Sequence, residues 1–205
     1  MMRASEVSPR MFDNDFVDFF SRTHWLVVPT LYLPLVVFTA WRAFALGLGA
    51  LPLVAAFAIG FVIWTITEYW LHRTAFHWEP DTWWGPRFHF FVHGVHHTWH
   101  QDPYRLVMPP AVSLVLAVVF YGLFVAIGAV TAGLLGPLWY LAAYAGFVLG
   151  YVNYDCTHYI IHHWKPTSVR MKRLRAHHMN HHFNRPDRKY GVSFMMWDRV
   201  FGTMD

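Results

Sequence analysis

Cysteine is almost missing from this chain. Cys156 stands alone, so no disulfide can close within the sequence, nothing calls for an oxidising compartment, and its expected role is that of a small packed residue near a helix end. Charge is scarce as well: 14% of the 205 residues are Asp, Glu, Lys or Arg, against about 25% in soluble domains. That leaves no stretch from which a separate soluble domain could be built. The small basic excess, +4 with histidine neutral, comes with no nucleic-acid motif, and the cytoplasmic edge of a membrane protein carries the same sign. Nucleic acid is therefore not an expected partner. Hydrolase motifs around Ser or Cys are absent, and so is the glycine fingerprint of a dinucleotide fold. The first twenty residues hold Arg3, Glu6, Arg10, Asp13, Asp15 and Asp18 with no apolar core, so no cleavable signal peptide is expected.

What the chain has is apolar length: 56% of it is hydrophobic and 19% aromatic. Four runs, 24–46, 51–71, 110–130 and 134–156, reach the roughly 20 residues that cross a bilayer core of about 30 Å. The first two are joined near Gly47 to Ala50 and the last two near Thr131 to Gly133, so each pair reads as a tight helical hairpin. Of 16 Lys and Arg, only Arg42 lies toward the short loops, and all 15 histidines fall on or next to the opposite side. The positive-inside rule then places both termini and the middle loop in the cytoplasm. The expected fold is all-α and integral to the membrane, with four transmembrane helices in two hairpins and a cytoplasmic helical cap. It forms one unit over 1–205: an interfacial segment 1–23, a first hairpin 24–71, a loop 72–109, a second hairpin 110–156 and a C-terminal region 157–205. In the first segment Phe12, Phe16, Phe19 and Phe20 share a helical face, which suits either a helix lying on the bilayer or one packed on the protein itself.

Histidine is the other abundance, gathered in four boxes: His72 with His77; His93, His96 and His97; His158, His162 and His163; His178, His181 and His182. On a helix, positions i, i+3 and i+4 share a face, so the rings of one box can aim at one point. His72 and His77 stand about 140° apart at 100° per residue, so this pair is expected where the second helix frays into the loop. A lone histidine near a membrane edge is an ordinary polar anchor, and His24 is read that way. Ten imidazoles at one depth, with His163 left aside, are different, because each needs a hydrogen-bond partner or a metal. Two metals with about five nitrogens each would satisfy ten. Imidazole suits Fe, Zn, Cu and Ni alike, so ligand type alone does not choose the metal. Carboxylates one turn from a box, Glu68 before His72 and Asp155 before His158, can accept a ligand's other ring N–H. His89, His163, His177 and Asp198 are further candidates for such support.

The boxes HxxxxH, HxxHH, HxxxHH and HxxHH, with two hairpins between them, resemble the fatty acid hydroxylase superfamily over about residues 60–205. Tyr104-Arg-Leu-Val-Met-Pro-Pro110, HGVHH, HYIIHH and Trp197-Asp-Arg-Val-Phe-Gly-Thr203 are similar to the branch of fatty acid 2-hydroxylases acting on sphingolipid acyl chains. The resemblance implies a di-iron centre that uses O2, with zinc able to occupy the site instead. It places the ligands at His72, His77, His93, His96, His97, His158, His162, His178, His181 and His182. It further implies a membrane lipid acyl substrate, hydroxylated at C2, which lies near headgroup depth. Some members carry a fused cytochrome b5 domain; none precedes the first span here, so electrons are expected from a separate protein such as a cytochrome b5 or a ferredoxin. Tyr104 and Arg105 are candidates for meeting the acyl carbonyl or headgroup, or else for anchoring the third helix behind Pro109 and Pro110. A sterol desaturase or carotenoid hydroxylase shares the boxes but not the RLVMPP stretch. A metal transporter is a rival of another class, yet its sites belong on broken helices near the midplane, where these spans hold almost no ionisable groups.

Overall fold

The computed structural model describes Ser8 and residues 10–205; Arg3 and Glu6 lie outside the described residues. No strand occurs among the described residues, and the helices are α1 (Asp15–Phe20), α2 (Val27–Ala45), α3 (Ala50–Trp70), α4 (Gly85–His89), α5 (Val95–Thr98), α6 (Pro110–Leu135), α7 (Trp139–His163), α8 (Val169–Phe183) and α9 (Met196–Val200). Two π-helical turns interrupt the pattern: Leu71–Phe76 continues α3, and Phe90–Gly94 joins α4 to α5. The chain divides into two compact units, Leu26–Thr65 with Pro110–Asn153, and Ile66–Pro109 with Tyr154–Asp205 and the N-terminal residues.

The first unit is built from apolar helices. Val27–Ala45, Ala50–Phe76 and Pro110–Leu135 are long and apolar enough to cross a membrane. Their side chains face outward to an extent that water would penalise: Val130 is 87% exposed, Leu51 81% and Val118 71%. Such continuous apolar surface is suited to lipid, where exposure costs nothing. The fourth expected run became α7, which is long enough but carries Asn153, Asp155, His158, His162 and His163. It lacks the apolar composition of the other three, and Leu141 through Val148 are all buried. Small residues let α3 and α7 approach closely: a Cβ on Gly60 would stand 1.8 Å from the Ala143 carbonyl oxygen, and one on Gly146 1.9 Å from that of Phe57. Without a hydrophobic driving force between helices in lipid, such close backbone packing is what holds them together. Trp64 meets Phe147 and Tyr151 edge-on at 5.1 and 5.3 Å. The buried hydroxyls are satisfied locally, Tyr32 donating to Ser113 Oγ at 2.8 Å and Tyr144 to the Ala117 carbonyl at 2.9 Å.

The turn expected at residues 131–133 falls later. α6 continues to Leu135 because Thr131 turns its hydroxyl onto the Ile127 carbonyl and stays helical. The break comes at Gly136, at φ 81°, followed by Pro137, which cannot extend a helix.

The second unit is polar inside. Arg105, 6% exposed, donates to Ser8 Oγ at 2.7 Å and Asp102 Oδ2 at 3.4 Å through one nitrogen, and to Asp18 Oδ1 at 3.1 Å and Ser21 Oγ at 3.4 Å through another. Asp18 also accepts from the Met11 and Phe12 amides and from Arg22. These bonds fix the segment around α1. Asp18 is turned inward while Asp15, Phe16, Phe19 and Phe20 are exposed, and Phe12 stacks on Phe91 at 5.2 Å.

Candidate metal centre

Ten histidines gather in the second unit as two groups of five: His72, His77, His93, His97 and His181, and His96, His158, His162, His178 and His182. In each, one ring nitrogen per residue lies within 4.8 Å of all the others. The groups are neighbours, His97 of the first stacking on His182 of the second with ring centroids 4.2 Å apart. These ten are the sequence-derived ligand candidates.

Local helix geometry explains the sorting. At 100° per residue, positions i and i+4 lie about 40° apart, while i+3 lies about 60° to the other side. Accordingly His93 and His97 enter the first group and His96 the second, whereas His178 and His182 enter the second and His181 the first. Several rings of each box do converge, but not all: each HxxHH box is shared between the groups. His158 and His162, an i, i+4 pair on α7, stay together. His72 and His77 meet because the chain between them is π-helical rather than frayed. A π turn bonds i to i+5, which brings residues five apart onto one side, and the two rings lie 5.1 Å apart.

Ring nitrogens face one another without a sensible pattern of donors. Nε2 of His93 stands 3.1 Å from that of His72 and 2.9 Å from that of His97. Nε2 of His158 stands 3.0 Å from that of His96 and 2.9 Å from that of His178. Two tautomers can be assigned: His72 Nδ1 donates to the Tyr190 carbonyl at 2.5 Å and His181 Nδ1 to the Arg188 carbonyl at 2.6 Å. In neutral rings their Nε2 atoms must then carry lone pairs, both pointed into the first group. Burial, with neighbouring histidines adding to it, pushes His93, His96 and His178 well below the usual imidazole range. The same causes push His77 and His97 to about 3. The rings are therefore neutral at physiological pH, and converging lone pairs call for a cation. The spacing fits one: two nitrogens about 2.1 Å from a metal, at right angles to each other, stand about 3.0 Å apart.

The remaining candidates lie outside both groups. His89 pairs with Glu79 at 3.3 Å, and His163 packs its ring on Tyr159 at 4.5 Å. His177 Nε2 is 3.0 Å from Asp198 Oδ2, and Asp155 is buried on α7 one turn before His158. Glu68 does not hold His72. Its carboxylate accepts from the Val192 and Ser193 amides at 2.9 and 2.7 Å and from the Ser193 hydroxyl. Asp198, fully buried, accepts from the Tyr190 and Gly191 amides and the Thr203 hydroxyl at 2.8–2.9 Å. Burial alone would raise its carboxyl; hydrogen bonds from His177, Thr203 and Gly191 outweigh that and hold it below the usual carboxylate range. Arg105 is engaged by Asp18 and Asp102 within its own unit, which favours the anchoring one of the two roles open to it. Tyr104 is 41% exposed. Sequence reasoning missed the Tyr190 and Arg188 carbonyls, since a backbone acceptor leaves no trace in side-chain identity.

The fatty acid hydroxylase family model matches residues 57–203. Over 201 residues the chain is 38% identical to the dihydroceramide fatty acyl 2-hydroxylase FAH1 of Arabidopsis thaliana, covering 98% of this chain and 82% of that one. It is also 38% identical to the ceramide very long chain fatty acid hydroxylase SCS7 of Saccharomyces cerevisiae, covering 96% of this chain and 49% of the yeast protein. The solved structure of full-length scs7p, with only its hydroxylase domain visible, superposes with a TM-score of 0.85 at 37% identity, covering 95% of this chain and 71% of that one. Sequence and fold agree over nearly the whole length, including the stretch that carries the histidine boxes of this chain, and the chain belongs to the fatty acid hydroxylase family.

Proposed function

We propose that the protein is a membrane-bound oxygenase that hydroxylates C2 of a long-chain fatty acyl group, free or within a sphingolipid or ceramide. The observation that carries the reading is the pair of adjacent five-histidine groups, all neutral imidazole, in a member of this family. In it, His72, His77, His93, His97 and His181 hold one metal, and His96, His158, His162, His178 and His182 hold the other. Two irons bound there supply what acid–base residues cannot: activation of O2 with two external electrons and two protons, one oxygen atom entering the C–H bond and the other leaving as water. Zinc can replace iron at nitrogen sites of this kind.

The protein's own part is to bind and to position. His72 and His77 follow directly on the apolar run of α3, and His158 and His162 on that of α7. The metals then sit at the membrane edge, where the first carbons of a lipid held by its head are presented. In this arrangement α7 is a fourth span, both termini and all the boxes face the cytoplasm, and the exposed phenylalanines of α1 rest at the lipid surface. Tyr104 remains a candidate for headgroup contact. Electrons come from a redox protein such as a cytochrome b5 or a ferredoxin. Lipid mass spectrometry of cells with and without the gene tests the reading: one added oxygen at acyl C2 is expected, whereas a hydroxyl deep in the chain or a new double bond contradicts it.

A further inference from the structure

Four successive backbone amides are taken up by two buried carboxylates. Tyr190 N and Gly191 N donate to Asp198 at 2.8 and 2.9 Å, and Val192 N and Ser193 N donate to Glu68 at 2.9 and 2.7 Å. Burying two acids to hold one loop is costly unless the loop must be held for a purpose. Its carbonyls supply one. The peptide unit between Tyr190 and Gly191 donates its N–H to Asp198 while its C=O accepts from His72 Nδ1. A carboxylate at one end of a peptide unit polarises it and strengthens the acceptor at the other. A stronger acceptor on Nδ1–H makes Nε2 a better metal ligand.

A second path ends on His181. Its Nδ1 donates to the Arg188 carbonyl, the amide of the same peptide unit, Lys189 N, donates to the Thr203 carbonyl at 2.9 Å, and the Thr203 hydroxyl donates to Asp198. Lys189 takes φ 62° to turn that carbonyl toward the ring, a left-handed conformation that side chains other than Gly rarely adopt. His72 and His181 both belong to the first group. In the second group, the buried Nδ1 atoms of His96, His158, His178 and His182 have no protein partner among the described residues.

We infer that Asp198 is a positioning residue for the metal position formed by His72, His77, His93, His97 and His181. It acts through the Tyr190–Gly191 peptide unit on the His72 ring, so the two metal positions are inequivalent and this one binds more tightly. The inference rests on the reading of the ten histidines as ligands of two metals.

The test is a titration of the purified, metal-stripped full chain with Co2+, followed by its visible absorption. The wild type should take up two ions in two unequal steps. Asp198→Asn, which keeps the shape and removes the charge, should weaken the tighter step about 10–100-fold and change its spectrum, leaving the other step unmoved. Thr203→Val, which keeps the carboxylate and its Gly191 contact but removes the hydroxyl of the second path, should weaken the tighter step less than Asp198→Asn does and leave the other step unmoved. Equal weakening of both steps by Asp198→Asn overturns the inference while leaving the two-metal reading intact. Uptake of fewer than two ions by the wild type removes that reading and the inference with it. Should Asp198→Asn fail to fold, His72→Gln and His158→Gln decide: the first should abolish the tighter step and the second the weaker, and the reverse or an identical loss contradicts the inference.

Discussion

The two units of this chain solve opposite problems. In the unit of α2, α6 and the larger parts of α3 and α7, the surface is apolar and cohesion comes from backbones brought close by small residues, as at Gly60 and Gly146. In the other unit the interior is polar: ten imidazoles, the carboxylates of Glu68 and Asp198, and the Arg105 cluster are all largely removed from solvent. Buried polar groups are tolerated only where each has a partner. The carboxylates and Arg105 find theirs in backbone amides, hydroxyls and each other. The ring nitrogens of the histidine groups mostly find only other ring nitrogens. One unit presents a surface suited to lipid; the other gathers ring nitrogens that could hold cations.

Breaking the polar unit at its centre should have the largest effect. His96→Ala and His181→Ala each remove a ring from a different group, and each should lower product by at least about a hundredfold, more than the loss of a supporting partner costs. His24→Ala, exposed and outside both groups, should retain most of the activity. Lipid product measured against folded protein checks all three, and similar behaviour of the three would erase the distinction between ligand and anchor.

Breaking the apolar unit should cost stability rather than chemistry alone. Gly146→Val forces a branched side chain onto the Phe57 carbonyl and should destabilise by about 3 kcal/mol or more, read as a lower melting temperature in detergent. A variant that melts like the wild type would mean that α3 and α7 do not rely on this contact. Arg105→Ala sharpens the contrast within the polar unit. It should lower the melting temperature while the hydroxylation rate per folded molecule stays within about twofold, because its partners are Asp18, Asp102, Ser8 and Ser21. A stable variant with a much reduced rate would return Arg105 to the substrate.

Much of this was legible in the sequence, for reasons that differ between the units. Long apolar runs report helices directly, and α2, α3 and α6 lie where the runs lie. The second hairpin's turn lies later than expected, with α6 running on to Leu135, and the fourth run became the less apolar Trp139–His163. The boxes were legible because histidine in such numbers has few other uses. How the ten divide was not. The π turn that unites His72 with His77 contradicts the α-helical angle on which a periodicity argument depends, and the i+3 members cross to the opposite group. The roles of Glu68 and Arg105 were left open between alternatives, since a carboxylate one turn before a histidine can as easily bind a distant loop, here residues 192–193.

The central claim is that these ten imidazoles, and nothing else, hold two metals. X-ray absorption together with metal analysis of the purified full chain tests it most directly. The account predicts two ions per chain, each surrounded by nitrogen, with no sulfur from Cys156 and no first-sphere carboxylate from the protein. A single ion per chain, or sulfur in its coordination sphere, would contradict it.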